Sequence, residues 1–369
     1  MSFKFIKATL TLSGMIIGAG MFGIPFSFAR AGFWLGTLEL IVLSGLMLIF
    51  HLFYAEIVLR TSGIHRMPGY MREHLGKKSY RLSWLSSVFG ISGSLLAYII
   101  LGAIFLNNLL PANQFLWAVF LVLAGAVITY FPLKKESFIN SILAVFLVGF
   151  ILYLVITLLP DIKTFNLSGF YPDSIFVPYG ILLFSLAGGI VIPEVVILSD
   201  KNRKTTHRAV VAGSLLPAVL YFLFALAVVG ISGVAVSSDA IRGLAVFAGD
   251  RVVFWGNIIG LLAVFTSLVA TSKNFQEMLR LDFIFSKRKA WVLVSTLPLI
   301  LYTFGFRNFI GTIGAVGVLA VGVDSALVLA AHYKLRKKEG ERLGFWSYVW
   351  RAAIYLMVIL GIVYEVLNF

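Results

Sequence analysis

Eleven apolar stretches, most near the length of a bilayer's hydrocarbon core, leave this 369-residue chain few folds to choose from. A helix needs about 20 apolar residues to cross that core. Lipid offers no partner to a free backbone N–H or C=O, so such segments cross as helices whose hydrogen bonds close internally. The stretches run over about 6–28, 33–59, 82–108, 114–133, 139–159, 175–198, 209–233, 248–272, 290–306, 308–332 and 350–367, numbered here as spans 1 to 11. Hydrophobic residues make up 60% of the chain and charged ones 12%, against about 25% charged in soluble domains. That excludes a soluble enzyme, a disordered chain and a nucleic-acid-binding protein. With no Cys there is no disulfide, thiolate metal site or Cys nucleophile. The opening Met1 to Lys7 runs into the first stretch without a small-residue cleavage site, which reads as a first span rather than a signal peptide. The connections are short, so residues 1–369 are expected to form one membrane domain. It divides into a five-helix half over 1–160, a second half over 161–333, and a loop with helix 11 over 334–369.

The formal charge of +14 is distributed in a way that tests the span count. Assigning loops to alternating sides places only Arg30, Lys163, Arg242, Arg251 and Arg307 on one side, leaving 25 of the 30 Lys and Arg on the other. A miscounted span in the middle would have blurred this split. Cytoplasmic loops carry the excess of Lys and Arg, so the N-terminus is expected inside and the C-terminus outside. Lys334 to Lys338 then reads as an anchor at the membrane surface.

Two spans are poor helices in matching places. Span 1 carries Gly14, Gly18, Gly20, Gly23 and Pro25 within thirteen residues, and Gly costs about 1 kcal/mol and Pro about 3 relative to Ala in a helix. Span 6 carries Pro178, Gly188, Gly189 and Pro193, and both spans contain Ala-Gly-x-x-x-Ile-Pro, Ala19 to Pro25 and Ala187 to Pro193. They open two five-span halves, 1–5 and 6–10, and an odd number of spans per half inverts the second half relative to the first. Interrupted spans at corresponding positions of inverted halves point to a transporter's central site. The freed N–H groups attract an anionic group and the freed carbonyls accept from an ammonium, which suits a zwitterion. Small residues also permit close helix packing; matched spacing in two spans favours the site.

Gly14-Met15-Ile16-Ile17-Gly18-Ala19-Gly20-Met21, followed by Ile24-Pro25, resembles the first span of two permease families. These are the amino acid/auxin permeases and the hydroxy/aromatic amino acid permeases, of the amino acid–polyamine–organocation superfamily. Ile192-Pro193-Glu194, the loop Asp200 to Lys204, Leu216-Pro217 and Glu56 before Arg60-Thr61-Ser62-Gly63 continue the resemblance over about the first 280 residues. The resemblance implies an all-α polytopic fold: a five-plus-five inverted repeat with broken helices 1 and 6, plus one extra C-terminal helix. It implies that a substrate carboxylate meets backbone N–H groups near Gly18, Ala19 and Gly20, and that its ammonium meets carbonyls around Phe184, Ser185 and Ala187. Tyr98 resembles the residue that closes over the substrate, with an ordinary buried aromatic as the alternative.

The coupling ion is addressed by span 8. Ala263, Thr266 and Ser267 lie within about one helical turn, so a carbonyl and two hydroxyls converge there. The stretch resembles the Ala-x-x-Thr-Ser pattern of sodium symporters of the same fold, whose partner carbonyls come from positions matching Gly14 and Ile17. Span 5, residues 139–159, has no basic residue, where proton-coupled relatives often place a lysine. Both features favour Na⁺ as the coupling ion. Ser and Thr bonding to their own helix is the alternative, as is proton coupling, since many similar aromatic permeases use it.

Ionisable residues inside spans mark functional candidates by default. Glu194, beside the second break, is a possible coupling group or a structural one. Asp324 is expected to pair with a basic group, and Glu39 and Glu365 receive no role. No His falls at metal-ligand spacing with acids, and Gly18-x-Gly20-x-x-Gly23 lacks the strand a dinucleotide fingerprint needs. No cofactor, nucleic acid or obligate protein partner is implied; the partners are an amino acid substrate and the bilayer. A channel would need a filter repeat or a charge ring, and neither is present. The expected function is import of an amino acid, with small residues at the second break leaving room for an aromatic or bulky neutral side chain.

Overall fold

The computed structural model describes residues 3–131, 136–340 and 344–368. Lys134, Lys135 and Arg342 lie outside the described residues, as does the side chain of Glu365. Among the described residues there are helices and turns and no strand. Helices stand at all eleven expected spans, and seven of them, counting the bent span 1 as one, are long and apolar enough to cross a membrane. Span 1 is Phe3–Ile16 with Ala19–Ala31, bent by 45° at its break. Spans 2 to 5 are Phe33–Arg60, Lys77–Leu109, Gln114–Tyr130 and Glu136–Leu158. Span 6 is Val177–Ser185 and Ile192–Leu198, and spans 7 to 9 are Arg203–Ser232, Asp250–Leu281 and Lys287–Thr303. Span 10 is Phe309–Lys338 and span 11 is Phe345–Asn368. The chain is an all-helical polytopic membrane protein with the inverted-repeat architecture.

Local chemistry explains where helices start. Asn113, Asn202, Ser286 and Asn308 each turn a side-chain oxygen onto a first-turn N–H of spans 4, 7, 9 and 10, satisfying a donor that has no helical partner. Pro25 and Pro193 sit in the first turn of the helices that restart after each break, where a missing N–H costs nothing. Large apolar side chains such as Trp34, Ile41, Ile156 and Val219 stand exposed on the outer surface, as an outer face bathed in lipid requires.

Two differences from the hydropathy reading bear on the site. The loop after span 2 contains a short helix, Met67–Leu75, and span 8 continues nine residues past its apolar run to Leu281. Lys, Gln, Glu, Met and Arg are good helix formers in water, so a helix does not stop where the apolar run does. The extension carries Glu277 to the site described below.

Span 3 packs along span 8, the first half of span 1 lies on span 7, and span 7 lies on span 2. The first half of span 6 rests against span 10, whose residues Val316–Val321 form a π-helical turn. A Cβ at Gly317 would overlap the Gly180 carbonyl oxygen and stand 2.9 Å from the Phe184 nitrogen. Spans 6 and 10 therefore touch backbone to backbone.

Candidate functional site

The two breaks meet at the centre of the molecule. Gly18 N–H turns to the Ile16 carbonyl at 2.8 Å instead of reaching Gly14, four residues earlier, so the Gly14 carbonyl loses its helical partner. In span 6 the helix ends at Ser185 and resumes at Ile192. A Cβ at Gly20 would overlap Ser185 Oγ and stand 2.8 Å from Ser185 Cα; only glycine admits the second break so close to the first. Beside this junction lies a cavity of ≈ 140 Å³. Gly18, Ala19, Gly20, Tyr98, Phe184, Ser185 and Ala187 all line it, so the residues singled out for substrate binding are brought together.

Two side chains that sequence reading passed over hold the breaks in place. Tyr221 of span 7 is fully buried, with its hydroxyl 2.6 Å from the Ile16 carbonyl and 2.9 Å from the Ser185 carbonyl. One phenol thus serves the freed carbonyls of both breaks. His51 of span 2, also fully buried, accepts from Gly188 N–H through Nε2 at 3.0 Å and faces Ser214 Oγ through Nδ1 at 3.0 Å. Because Nε2 accepts, the ring proton sits on Nδ1 and is donated to Ser214. His51→Ala is expected to leave Gly188 N–H unpaired at a cost of about 1–3 kcal/mol. The check is thermal melting in detergent: a drop for His51→Ala, and a smaller one for His51→Gln, which still offers an acceptor.

The cavity extends towards the face of the basic loops and is sealed on the other side. Phe22, just past the first break, meets Phe105 edge-on at 5.0 Å and Phe224 at 6.1 Å. Beyond them Asn108 donates to Asp239 at 3.0 Å and to Asn257 at 2.9 Å. These interactions join spans 1, 3, 7 and 8 and the loop after span 7 on the face with few cations.

Of the candidate cation ligands Ser267 lies against the first break, and none of the five lines the cavity. Ser267 Oγ would stand 3.3 Å from a Cβ at Gly18, so it rests directly on that glycine. Ile17 and Ala263 are buried. Thr266 donates its hydroxyl back to the Leu262 and Ala263 carbonyls, at 3.1 and 3.0 Å, which leaves its oxygen only as an acceptor.

Glu194 is paired. Arg66, in the loop after span 2, binds both Glu194 and Glu277, and points N–H to the Ile190 carbonyl at 3.4 Å. Burial pulls the Arg66 guanidinium down, but the two carboxylates outweigh it and hold it above the ordinary arginine range. Glu56 pairs with Arg60 within span 2 at 3.0 Å and ties that span to span 7 through Arg203 at 2.7 Å and His207 at 2.6 Å. The expected basic partner of Asp324 is a correction: Asp324 lines the cavity, and its Oδ1 has no hydrogen-bond partner among the described residues. Both carboxylate oxygens of Glu39 are likewise unpartnered among those residues, away from the cavity.

Residues 1–368 match the model of the tryptophan/tyrosine permease family. The chain belongs to that family. It is an amino acid transporter and not an enzyme. Of the two families that span 1 resembles, this supports the hydroxy/aromatic amino acid permeases. Glutamine transporter 2 of Aliivibrio fischeri is 24% identical over 359 residues, 93% of this chain and 92% of that protein. Tyrosine-specific transport system 1 of Haemophilus influenzae is 24% identical over 233 residues, 62% of this chain and 58% of that one. Among solved structures, MhsT in complex with L-phenylalanine superposes with a TM-score of 0.70 at 15% identity, covering 99% of this chain and 98% of that one. The permease therefore shares its fold with that protein from end to end.

Proposed function

We propose that this permease imports an aromatic or bulky neutral amino acid by alternating access, driven by a Na⁺ gradient. The observation that carries the reading is the junction of the two breaks at Gly20 and Ser185, opening on one cavity beneath Tyr98. Backbone N–H groups at Gly18, Ala19 and Gly20 would take the carboxylate, and carbonyls around Phe184, Ser185 and Ala187 the ammonium. The cavity reaches the basic-loop face while the Phe22, Phe105 and Phe224 cluster closes the other, which is the arrangement of a carrier ready to release its cargo. By the charge split, the basic face is the cytoplasmic one.

Na⁺ coupling is supported by the freed Gly14 carbonyl, the Ile17 and Ala263 carbonyls, and the hydroxyls of Thr266 and Ser267. Ser267 rests on Gly18, so an ion there would tie span 8 to the break and favour one state of it. Hard oxygen ligands without a carboxylate suit such a site. Glu194, held by Arg66, is assigned a structural role at the inner end of span 6.

The experiment is uptake of labelled tyrosine, tryptophan, phenylalanine and glutamine into proteoliposomes, with an inward Na⁺ gradient at equal pH. Concentrative, saturable uptake establishes sodium symport, and competition identifies the cargo. Uptake that needs an inward proton gradient instead removes the span 8 ion site and retains the carrier. Thr266→Ala combined with Ser267→Ala is expected to abolish Na⁺ stimulation, and an undiminished Na⁺ response in that variant refutes the site.

A further inference from the structure

The cavity holds more than the break requires. Along span 3 its lining runs from Tyr98 through Ser94, Gly90 and Ser87 to Ser86, about 18 Å of helix at 1.5 Å per residue. Along span 10 it runs from Val316, beside the break, to Asp324, about 12 Å further towards the basic-loop face. This inner part has its own character. Phe50, Tyr54, Met67 and Met278 supply an apolar, deformable wall, and Ser87 and Asn274 add polar groups.

The charges of this region do not balance. Tyr54 stands among Arg66, Glu194 and Asp324. Arg66 is already committed to Glu194 and Glu277 through its two terminal nitrogens, so one positive charge already faces two carboxylates before Asp324 is counted. Ser86 lies beside the Asp324 carboxyl, its hydroxyl donating to the Ala320 carbonyl at 3.0 Å. A buried carboxylate without a counter-charge is costly, and here it stands in the path the cargo takes out.

We propose that Asp324 forms a second, exit-side binding site for the ammonium group of the transported amino acid, with the apolar wall of Phe50, Tyr54, Met67 and Met278 taking its side chain. The inference rests on the amino acid reading above. After leaving the carbonyls of the second break, the ammonium passes to Asp324, which neutralises the carboxylate only while cargo is in the exit path. The site lowers the barrier to release and, in the reverse direction, captures amino acid offered at the basic-loop face.

The test is sidedness. Proteoliposomes carrying wild type, Asp324→Asn or Asp324→Glu are assayed by counterflow of whichever of L-tyrosine, L-tryptophan, L-phenylalanine and L-glutamine wild type carries, offered at either face. Asp324→Asn is expected to raise KM at the basic-loop face by at least about tenfold, the worth of one charge-assisted hydrogen bond. KM at the opposite face should stay within about twofold, and Asp324→Glu should keep most of the wild-type affinity. Wild type offered cargo at the basic-loop face should discriminate against the deamino analogue of the same amino acid, and Asp324→Asn should lose that discrimination. Equal changes at both faces, or none, overturn the site, as does loss of pH or Na⁺ dependence without loss of sidedness. A wild type that carries none of the four amino acids removes the functional reading, which separates that failure from this one.

Discussion

Gly20→Ala is expected to abolish amino acid transport, lowering initial uptake by more than about 100-fold, or about 2.7 kcal/mol of barrier. The added methyl would overlap Ser185 Oγ and come within 2.8 Å of Ser185 Cα and 2.9 Å of Phe184 Cδ1. Rotating the serine away gives up its 2.6 Å bond to the Ile181 carbonyl, and the methyl still collides with the serine's backbone. Relief therefore needs the two breaks to part, which also pulls on Tyr221, bonded to both. Uptake and direct substrate binding should fall together while melting shows a folded protein. Ser185→Gly in the same chain removes the hydroxymethyl and should restore part of the binding. Transport within about fivefold of wild type would falsify the junction as the substrate site.

Gly317→Ala is expected to destabilise the fold by about 3 kcal/mol or more, beyond the usual cost of overpacking. A Cβ there would overlap the Gly180 carbonyl oxygen and lie 2.9 Å from both the Gly180 carbonyl carbon and the Phe184 nitrogen. All three are backbone atoms of span 6, so no side chain can rotate aside. The measurement is thermal melting in detergent. A large drop, with Gly45→Ala unchanged because its added methyl meets nothing within 4 Å, supports the close approach of spans 6 and 10. Equal melting of the two variants refutes it.

Much of the fold was legible because its causes are local. Gly and Pro weaken a helix wherever they stand, so the breaks after Ile16 and Ser185 could be read one span at a time. Polar caps such as Asn202 and Asn308 act within their own first turn. Helix ends were less legible: Lys273 to Leu281 favour helix in water as well as near a membrane, and the apolar run alone placed the end of span 8 too early.

The site was legible only as far as backbone goes. Glycines 18 and 20 announce freed N–H groups, but nothing near His51, Tyr221 or Arg66 in the chain announces the break or carboxylate each one serves. His51 meets Gly188 from another span, Tyr221 reaches across two, and Arg66 closes on a glutamate more than two hundred residues away. The π-helical turn of span 10 is equally silent, since Val316 to Val321 read as an ordinary apolar run.

The sequence by itself determined that this chain is a bundle of membrane helices broken twice, because burial in lipid and helix propensity act residue by residue. Only the tertiary structure decided that the two breaks touch, that Glu194 is neutralised by Arg66 while Asp324 has no cation partner among the described residues, and that the cavity reaches the basic-loop face. Those outcomes depend on which helix faces which, and helix faces are paired by close packing and by charge over distances that no local pattern in the chain records.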